Sequence, residues 1–510
     1  MKNLIKVHPS DNVAVVSNEN GVDKSSILGE DVVARNYIPF NQKIALENIG
    51  KDQAIIRYGV PIGYANDDIL KGSWVNEDSL YIHKTLTLNE NMVNQLNFDN
   101  NYRFKNNPAK KFDTFEGYVN DDGSVGTKNI LAINVTVQCV KGVVDQTIEK
   151  IKKEILPKYP NVDDVIQLNH IYGCGVAIHA DNAEIPKRTI SNLADNPNFG
   201  NEKLVVSLGC EKFVPEDAFQ VNEEDSEHLI VLQNCNGYSD MIEEISKKAE
   251  IILQRLNRRT RQTVPVSKLV IGLQCGGSDA FSGMTANPAI GYAADLFIQQ
   301  GAKVMFSEVT EVRDAAEILL KRIKSKKLRI KMIKELTWYD NYLASSHVDR
   351  AENPSPGNKR GGLSSIIEKA MGSIAKSGTA EISDILFPGE KIKKAGMTFA
   401  ATPASDFVCG TQQLASGMTL EVFSTGRGTT YNLEQCPVIK VATNTGLATK
   451  WFDIIDFNAG TILDHQITLD QAGKKLYELM IAVASGEIQT KADQHKIYND
   501  LAIFNPAPIT

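Results

Sequence analysis

Short apolar runs separated by polar turns dominate the first 85 residues of the chain. Runs such as NVAVV and QAIIRYGVPIGYA are rich in β-branched residues and show no helical period, and Asn, Asp, Gly and Pro separate them. This pattern predicts a small β-rich domain over residues 1–85. The next stretch, residues 86–112, is rich in Asn and Lys and lacks periodicity, which is typical of a linker.

From residue 113 onward, apolar runs alternate with amphipathic stretches. Residues 204–208 and 268–273 have the pattern of buried strands, whereas VVDQTIEKIKKEIL and MIEEISKKAEIILQRLNRR have the spacing of amphipathic helices. Strands that alternate with helices indicate βαβ units and parallel sheets. We therefore predict an α/β main body with mainly parallel sheets, divided near Thr263 into domains over residues 113–263 and 264–510.

Four of the predicted strands run directly into a loop that carries a cysteine. Ligands of open parallel sheets bind beyond the carboxyl ends of the strands, so these loops converge on one cleft if their strands share a sheet. Each cysteine taken singly is equally well explained as a small buried apolar residue. The four segments are INVTVQCV, QLNHIYGCG, VVSLGCEK and IGLQCGG, with Cys139, Cys174, Cys210 and Cys275.

Composition and charge narrow the class of protein. With 510 residues, 42% hydrophobic and 23% charged, the chain has the size and balance of a soluble protein of two or three domains. Its formal net charge of -7 offers no attraction to nucleic acid or to anionic membranes, so neither is an expected partner. No apolar stretch has the length of a membrane span or of a signal-peptide core, which makes a cytoplasmic location the expectation. Seven cysteines in such a chain indicate free thiols.

The segment IGLQCGGSDAFSGMTAN, residues 271–287, concentrates glycine, hydroxyl and acidic residues between a predicted strand and a predicted helix. Free N–H groups at the start of that helix favour a carboxylate or a phosphate. The segment matches neither GxGxxG nor the P-loop pattern, so a nucleotide is not indicated, and a tight glycine turn is the structural alternative. The residues that we expect to contact a substrate here are Gly276, Gly277, Ser278, Ser282 and Thr285.

Few other side chains are placed for acid–base chemistry or carboxylate binding. Arg427 follows a predicted strand and lies between two glycines, a suitable position for a bidentate contact with a carboxylate. Lys359 and Arg360 lie in NPSPGNKRGG and are either substrate contacts or part of a solvated loop. His170 ends a predicted strand and is the best-placed general acid or base among the eight histidines. Neither HExxH nor CxxC is present, so a structural zinc site is not supported.

Long motifs of unusual composition occur throughout the chain. The main body contains FEGYVNDDGSVGTKN, LNHIYGCGVAI, SLGCEK, GLQCGGSDAFSGMTANPAIGYAADL, FSEVTEVRDA, NPSPGNKRGGLSSIIEKAMGSIAKSG, ATPASDFVCGTQQLASG and STGRGT, and the first 85 residues contain IKVHPSDNVAVV and IIRYGVPIGYA. In their order along the chain these motifs resemble the altronate and galactarate dehydratase family. The two N-terminal motifs resemble the SAF domain of that family, a small β-clip-like module, so the resemblance covers nearly the whole chain.

The resemblance implies a hydro-lyase of hexaric acid catabolism, which removes water from a six-carbon sugar acid to give a 2-keto-3-deoxy acid. Galactarate would give 5-dehydro-4-deoxy-D-glucarate, and altronate and glucarate are the alternative substrates. In such a reaction a base removes the proton alpha to a carboxylate, positive charge stabilises the enediolate, and an acid assists loss of the neighbouring hydroxyl. The family implies a divalent metal, most commonly Fe²⁺, whose place Mn²⁺, Mg²⁺ or Ca²⁺ can take. The expected partner is a small aldarate, and a homodimer is left open.

The resemblance also suggests roles for individual residues. His8 and Asp11 are candidates for the metal site, and His8 also for acid–base chemistry, although their spacing suits a simple turn equally well. Relatives commonly carry Gly-His-Lys where residues 41–43 of this chain read Asn-Gln-Lys, so we consider His83 as a substitute metal ligand. Lys359 and Arg427 are expected to hold the substrate. The residues expected to line the main cleft are Cys174 and Cys275, with His170, Glu211 and Asp279 as further catalytic candidates.

Two other functions stay open on the sequence alone. The first keeps the dehydration but replaces the single metal ion with an iron–sulfur cluster bound by the four cysteines that follow strands. The second is a noncatalytic protein that binds sugar acids, since SAF-type modules also serve in ligand binding. The many polar groups in tight loops argue against the second.

Overall fold

A computed structural model describes residues 4–28, 32–83, 88–89, 91–99, 112–222 and 224–507 of the chain. The predicted linker, residues 86–112, lies largely outside these ranges, as do the ends of the chain. The predicted fold class is confirmed, because a small domain of antiparallel sheets precedes an α/β body whose two larger sheets are parallel. Among the described residues, none of the helices is both long and apolar enough to cross a membrane.

The N-terminal domain consists of two small antiparallel sheets, with strand orders β1-β2-β3-β6 and β4-β5-β7. All four residues of β2, VAVV, are buried. Ala14 and Val16 enter the core around Ile44, whereas on the other face Val13 enters the core around Ile55 and Val15 packs with Phe281 of the C-terminal domain. The strands are β1 Leu4–Ile5, β2 Val13–Val16, β3 Lys43–Ala45, β4 Ala54–Arg57, β5 Val60–Ala65, β6 Trp74–Val75 and β7 Leu80–Tyr81.

The described part of the predicted linker packs on the C-terminal body. It contains the short helix α1, Met92–Gln95, whose Val93 is buried in the main core. The Arg329 guanidinium donates to the Leu96 carbonyl oxygen at 2.6 Å, and Asp99 donates its N–H to the Lys321 carbonyl oxygen at 2.8 Å. These contacts fix the end of the segment nearest the N-terminal domain.

The second domain is built on a four-stranded parallel sheet of order β11-β10-β12-β13. Every residue of β10 is buried, because one face of the sheet packs against α2 and α5 and the other packs largely against the C-terminal domain. Strand β14 pairs antiparallel with β8, so the predicted boundary at Thr263 falls inside a strand that joins the two halves. The elements are β8 Thr114–Val119, β9 Val125–Gly126, β10 Ile130–Val135, α2 Lys141–Glu154, β11 Asp164–Leu168, α3 Glu184–Ala194, β12 Leu204–Ser207, α4 Pro215–Phe219, β13 Leu229–Val231, α5 Tyr238–Leu256 and β14 Gln262–Pro265.

The C-terminal domain has a seven-stranded parallel sheet of order β17-β18-β16-β15-β19-β20-β21. After β15 the chain adds β16, β17 and β18 on one side of it, and then β19, β20 and β21 on the other side. The topological switch point therefore lies between β15 and β19, and α/β proteins bind ligands at such a point. The elements are β15 Val270–Cys275, α6 Ala286–Gln299, β16 Lys303–Phe306, α7 Val309–Val312, α8 Ala316–Lys321, α9 Lys326–Ser345, α10 Pro356–Arg360, α11 Ile366–Ile374, β17 Ile382–Leu386, β18 Gly396–Ala400, α12 Asp406–Ala415, β19 Leu420–Thr425, β20 Val438–Ala442, α13 Thr445–Lys450, β21 Phe457–Asn458, α14 Leu469–Ala484 and α15 Lys491–Gln494.

The two parallel sheets point the same way. Helix α3 of the second domain lies against α12 of the C-terminal domain, where the Thr189 hydroxyl is 3.1 Å from Gln412 Oε1. Just beyond the end of α3, the Asn196 amide donates to the carbonyl oxygen of Leu414 in the last turn of α12, at 3.0 Å. The helices therefore run in the same direction, and since each one follows a strand of its own sheet, the carboxyl ends of both sheets lie at the same end of the molecule.

A buried three-charge contact joins the N-terminal domain to α11. The Glu368 carboxylate accepts from Lys43 Nζ at 3.0 Å and from the Arg57 guanidinium, and all three side chains are at most 1% exposed. The Ser364 N–H adds a third donor at 2.7 Å. Burial alone would raise the pKa of Glu368, but the charges of Lys43 and Arg57 hold it below its ordinary value. The domain contact thus depends on an ionised glutamate.

We predict that Glu368→Gln lowers the free energy of unfolding by about 3 to 5 kcal/mol, because it leaves two cations buried without their counter-charge. Because the folded pKa of Glu368 is depressed, its stabilising contribution is present above the unfolded pKa and is lost as the pH falls. Chemical denaturation across a range of pH measures both effects. Asp67→Asn, which breaks the exposed pair of Lys51 and Asp67, is the matched control and should change stability little. Equal stability of both variants would contradict the prediction.

Candidate active site

The loop between β15 and α6 lies at the switch point of the seven-stranded sheet. Its Gly277 carbonyl oxygen accepts the Arg427 N–H at 3.0 Å, which joins it to the loop after β19. From α10, the Asn358 amide donates to the Ser278 carbonyl oxygen at 3.0 Å. The structure therefore brings the predicted glycine-rich loop together with Arg427 and with the helix that carries Lys359.

Asp279 holds this loop in shape. Its buried carboxylate accepts from the Phe281 N–H at 3.1 Å, the Ser282 hydroxyl at 3.0 Å and the Thr443 hydroxyl at 2.9 Å. Burial raises the pKa of Asp279, and these hydrogen bonds oppose the rise. Thr285 likewise donates its hydroxyl to the Thr443 carbonyl oxygen at 2.7 Å. The side chains of Asp279, Ser282 and Thr285 thus join the loop to the end of β20.

Ser278 differs from these neighbours. Its hydroxyl oxygen is buried and has no hydrogen-bond partner among the described residues. A buried polar atom without a partner is costly, and a ligand group can satisfy it. Of the predicted cations nearby, Arg427 and Arg360 are exposed and Lys359 is half-buried.

A buried group of five side chains, which we call the Lys376 cluster, lies directly behind the loop. Lys376 Nζ is 3.1 Å from Cys275 Sγ, 3.1 Å from Glu308 Oε2 and 3.0 Å from Ser373 Oγ. Glu311 Oε2 lies 3.5 Å from Cys275 Sγ and 3.3 Å from Ser373 Oγ. The cluster combines a thiol, two carboxyl groups, a hydroxyl and an ammonium group within direct contact of one another.

Four elements bring the cluster together at the carboxyl end of the sheet, and one of them is α7, which carries Glu311. Cys275 ends β15, and Glu308 follows β16 in a left-handed conformation, with φ of 72°, that is uncommon for a residue other than glycine. Strained backbone of this kind is often found at functional sites. Helix α11 and the turn after it supply Lys369, Ser373 and Lys376, which have the spacing of one helix face.

The two glutamates of the cluster have pKa values shifted in opposite directions. Burial and the negative charge of Glu311 raise the pKa of Glu308 to about 8. Burial acts on Glu311 too, but the charges of Lys369, whose Nζ is 2.6 Å away, and Lys376 hold the pKa of Glu311 below its ordinary value. One carboxyl group is thus mainly protonated at neutral pH and its neighbour is ionised.

The pKa values of Lys376, Cys275 and Asp406 are shifted as well. Burial alone would lower the pKa of Lys376, but Cys275 and the two glutamates raise it, so that its ammonium stays charged. Burial raises the pKa of the Cys275 thiol to about 11. Asp406, half-buried at the start of α12, has its pKa raised to about 6 by burial and by the charge of Glu311. A carboxyl group titrating near neutrality beside a charged lysine suits proton transfer.

The cluster also has the composition of a metal site. Cys275, Glu308 and Glu311 each offer a ligand atom, and these atoms lie within 4.8 Å of one another. Thiolate and carboxylate together fit a divalent transition metal such as Fe²⁺. The Lys376 ammonium, which contacts two of the three donors, stands where a positive charge is favoured. Both the three ligand atoms and the presence of a cation beside two of them indicate that this site can accommodate a divalent metal ion.

Three other predicted residues lie in the second domain. His170 is buried and its Nε2 is 2.8 Å from the Val135 carbonyl oxygen, and burial lowers its pKa to about 4, so the ring is neutral. The buried Glu211 carboxylate accepts from Thr136 and, at 2.6 Å, from Ser207. Cys174 is exposed. All three follow strands of the four-stranded sheet, whereas Cys275 and Asp279 follow a strand of the other sheet.

The residues predicted from the N-terminal domain are engaged locally. Asp11 accepts the N–H groups of His8 and Gly59, both at 2.9 Å, and so closes a turn. The exposed His8 ring contacts the Ser10 hydroxyl at 2.7 Å. His83 packs against the ring of Tyr64, with 4.2 Å between centroids.

Gln42 binds the C-terminal domain. Its amide donates to the carbonyl oxygens of Lys359 and Arg360, both at 3.3 Å, and its own oxygen accepts the Trp74 ring N–H at 3.2 Å.

Sequence reasoning missed the acidic and basic residues of this site. The signal that could have found them is the acidic pair in FSEVTEV, directly after a strand, and the helical spacing of polar residues in IIEKAMGSIAKS. The missed residues are Glu308, Glu311, Lys369, Lys376 and Asp406.

Three family models together match nearly the whole chain. The altronate/galactarate dehydratase SAF domain matches residues 2–83. The second domain of D-galactarate dehydratase/altronate hydrolase matches residues 117–257, and the C-terminal domain of D-galactarate/altronate dehydratase matches residues 266–509.

Curated proteins are similar over comparable lengths. The chain is 50% identical to galactarate dehydratase (L-threo-forming) of Escherichia coli (strain K12), covering 99% of this chain and 97% of that protein. It is 32% identical to altronate dehydratase of Bacillus subtilis (strain 168), covering 99% of each. It is 28% identical to the beta subunit of (2R)-sulfolactate sulfo-lyase of Chromohalobacter salexigens, covering 73% of this chain and 93% of that protein.

We predict that Glu308 gives a protonated-carboxyl band in the infrared spectrum at pH 7, which disappears with a midpoint near pH 8 as Glu308 ionises. Difference spectra between the wild type and Glu308→Gln isolate the band. In Glu311→Gln the midpoint should move to lower pH, because the charge that raises the pKa of Glu308 is gone. A band that persists unchanged in Glu308→Gln would refute the assignment.

Proposed function

The chain belongs to the D-galactarate and altronate dehydratase family, and on this premise we propose that it removes water from galactarate to give 5-dehydro-4-deoxy-D-glucarate. The observation that carries the choice of substrate is the 50% identity, over almost the full length of both chains, to a galactarate dehydratase. Altronate and glucarate are the alternative substrates. We further propose a cytoplasmic location and Fe²⁺ as the cofactor.

Dehydration requires three chemical contributions from the site. A base takes the weakly acidic proton alpha to a carboxylate, positive charge stabilises the enediolate that forms, and an acid protonates the departing hydroxyl. The enol product then tautomerises to the 2-keto acid. The base must be ionised and the acid protonated at the same pH.

We assign the base to Asp406 and the acid to Lys376. Asp406, with a pKa near 6, is mainly ionised at neutral pH yet basic enough to accept a proton, and it is the least buried acid beside the cluster. Its Oδ2 lies 2.6 Å from where a side chain at Gly276 would begin, so it faces the loop proposed to hold the substrate. Lys376 is a charged donor, and its Nζ contacts Cys275, the residue before Gly276, at 3.1 Å.

Substrate binding is proposed for the loop residues and cations already predicted from the sequence. The hydroxyl of Ser278 and the main chain at Gly276 and Gly277 would receive one carboxylate and its neighbouring hydroxyl. The exposed Arg427 and the half-buried Lys359 would hold the other carboxylate, as a diacid needs a cation at each end. A monocarboxylate such as altronate, held by the loop at its reacting end, would leave both cations without a carboxylate partner.

Cys275, Glu308 and Glu311 would hold the iron, and the ion would supply positive charge to the enediolate. The positive charge of a bound ion would lie close to the Lys376 ammonium and, together with burial, would lower the pKa of Lys376. Its ammonium would then be a better acid. Glu308 must lose its proton to bind the ion, so iron binding should strengthen as the pH rises toward 8.

We predict that anaerobically prepared protein with Fe²⁺ releases a 2-keto acid from galactarate, with kcat/KM at least about tenfold above that for altronate or glucarate. Coupled detection of the 2-keto product and mass spectrometry measure the reaction. A chelator should abolish turnover and Fe²⁺ should restore it. Absence of turnover on all three acids would overturn the proposal. A preference for altronate would show that the chain is an altronate dehydratase instead.

We predict that Lys376→Met lowers kcat by about 10² to 10⁴, the usual contribution of a general acid, with a much smaller change in KM. Steady-state kinetics and the bound-iron content are measured together, so that loss of the acid is separated from loss of the metal. Lys394→Met, which removes an exposed lysine paired with Asp384, is the control and should retain activity. A rise in KM with unchanged kcat would assign Lys376 to substrate binding instead.

A further inference from the structure

Three of the cysteines form a separate group on the second domain. Cys139, Cys174 and Cys210 lie in the loops that follow β10, β11 and β12, which are adjacent strands of the four-stranded sheet. All three are free and exposed. Free cysteine is ordinarily among the most buried residues, so three exposed thiols at one sheet edge call for an explanation. Neither the proposed reaction nor the family comparison uses them.

Main-chain contacts hold the three loops against one another. The Gly173 carbonyl oxygen, next to Cys174, accepts the N–H groups of Lys212 at 3.0 Å and Phe213 at 3.2 Å, from the loop that carries Cys210. On its other side, Gly173 packs so closely on the β10 loop that an added Cβ would be 2.2 Å from the Thr136 carbonyl oxygen. With φ of 130°, the position favours glycine, so the chain is built to bring these loops together.

Glu211 fixes the position of Cys210. One oxygen of its buried carboxylate accepts the N–H groups of Gly209 at 2.8 Å and Cys210 at 3.0 Å. The other oxygen accepts from Thr136 of the β10 loop and from Ser207 at the end of β12. Burial alone would raise the pKa of Glu211, but these hydrogen bonds hold it below its ordinary value. Both oxygens of the Glu211 carboxylate are thus engaged in holding the loops together. The nearby thiols form no disulfide.

The spacing of the thiols argues against a single metal ion. Zinc bound at about 2.3 Å by three thiolates would bring the sulfur atoms to about 4 Å from one another. Among the described residues, the one group of three or more ligand atoms within 4.8 Å is the Cys275 group, and the three exposed thiols do not form another. An iron–sulfur cluster spaces its cysteine ligands more widely, because each thiolate binds a different iron atom.

We propose that Cys139, Cys174 and Cys210 bind a [4Fe–4S] cluster, with one iron atom left without a cysteine ligand. Each thiol gives up its proton to become a thiolate ligand, and the uncoordinated iron faces solvent at the sheet edge, where a water or the oxygen of a small acid can bind. Cys275, which the sequence grouped with these residues, lies instead in the Lys376 cluster. The cluster site is thus independent of the proposed Fe²⁺ site, although both are at the same end of the molecule.

The full-length protein, purified anaerobically and reconstituted with Fe²⁺ and sulfide, is the material for the test. We expect a broad visible absorption band and, per chain, about four iron atoms and about four acid-labile sulfides beyond any iron at the Cys275 site. Single substitutions Cys139→Ser, Cys174→Ser and Cys210→Ser should each lower the sulfide content and the visible band at least about fivefold. Circular dichroism checks that each variant is folded.

Two controls separate this site from the rest of the chain. Cys235→Ser changes a cysteine at the end of the neighbouring strand β13 whose Sγ points to its own loop, 3.9 Å from the Val231 carbonyl oxygen, and should keep the full sulfide content. Cys275→Ser should keep the visible band while losing the Fe²⁺ of the other site. Protein without labile sulfide, or equal loss in all five variants, would overturn the proposal. Turnover of galactarate by sulfide-free protein would overturn only the cluster, whereas a cluster without turnover would overturn only the dehydratase.

Discussion

Helix α11 carries buried charges that must be neutralised inside the protein by charges on other elements. The ion pairs that do so hold the N-terminal domain and the Lys376 cluster in place. Glu368 is paired with two cations of the N-terminal domain, and the next residue, Lys369, is paired with Glu311 of helix α7. The same helix and its terminal turn supply Ser373 and Lys376 to the Lys376 cluster. A buried charge that lost its partner would cost several kcal/mol. Helix α11 therefore fixes the domain contact and the acid–base cluster together.

This arrangement gives the N-terminal domain a structural part in the active site. Lys43 and Arg57 hold the pKa of Glu368 below its ordinary value, and Lys369, the next residue of the helix, does the same for Glu311. Two consecutive residues of α11 thus connect the small β-rich domain to the Lys376 cluster. In the same domain, Asp11 accepts the N–H groups of His8 and Gly59, and the roles suggested for His8 and Asp11 stay predictions.

Periodicity and motifs predicted the architecture well but not the chemistry of the cluster. The alternation of apolar and amphipathic segments was enough for parallel sheets, and the motifs were enough for the family. Strand order, however, is not encoded in local pattern, so the four cysteine loops were expected at one cleft and are divided between two sheets. Lys376 meets Cys275 across 101 residues of sequence and Glu308 across 68. Such pairs are created by topology, and single residues such as Glu308 carry no local sign of their shifted pKa.

The side chain of Gln42 lies at the contact between the N-terminal and C-terminal domains. Its amide donates to two carbonyl oxygens of α10, and its oxygen accepts from Trp74, so the contact uses both ends of the amide at once. Glutamine neither gains nor loses a proton near neutrality, whereas a histidine at this position would titrate in that range. The hydrogen bonds that Gln42 makes at the domain contact therefore stay the same through the pH range in which a histidine would change its charge.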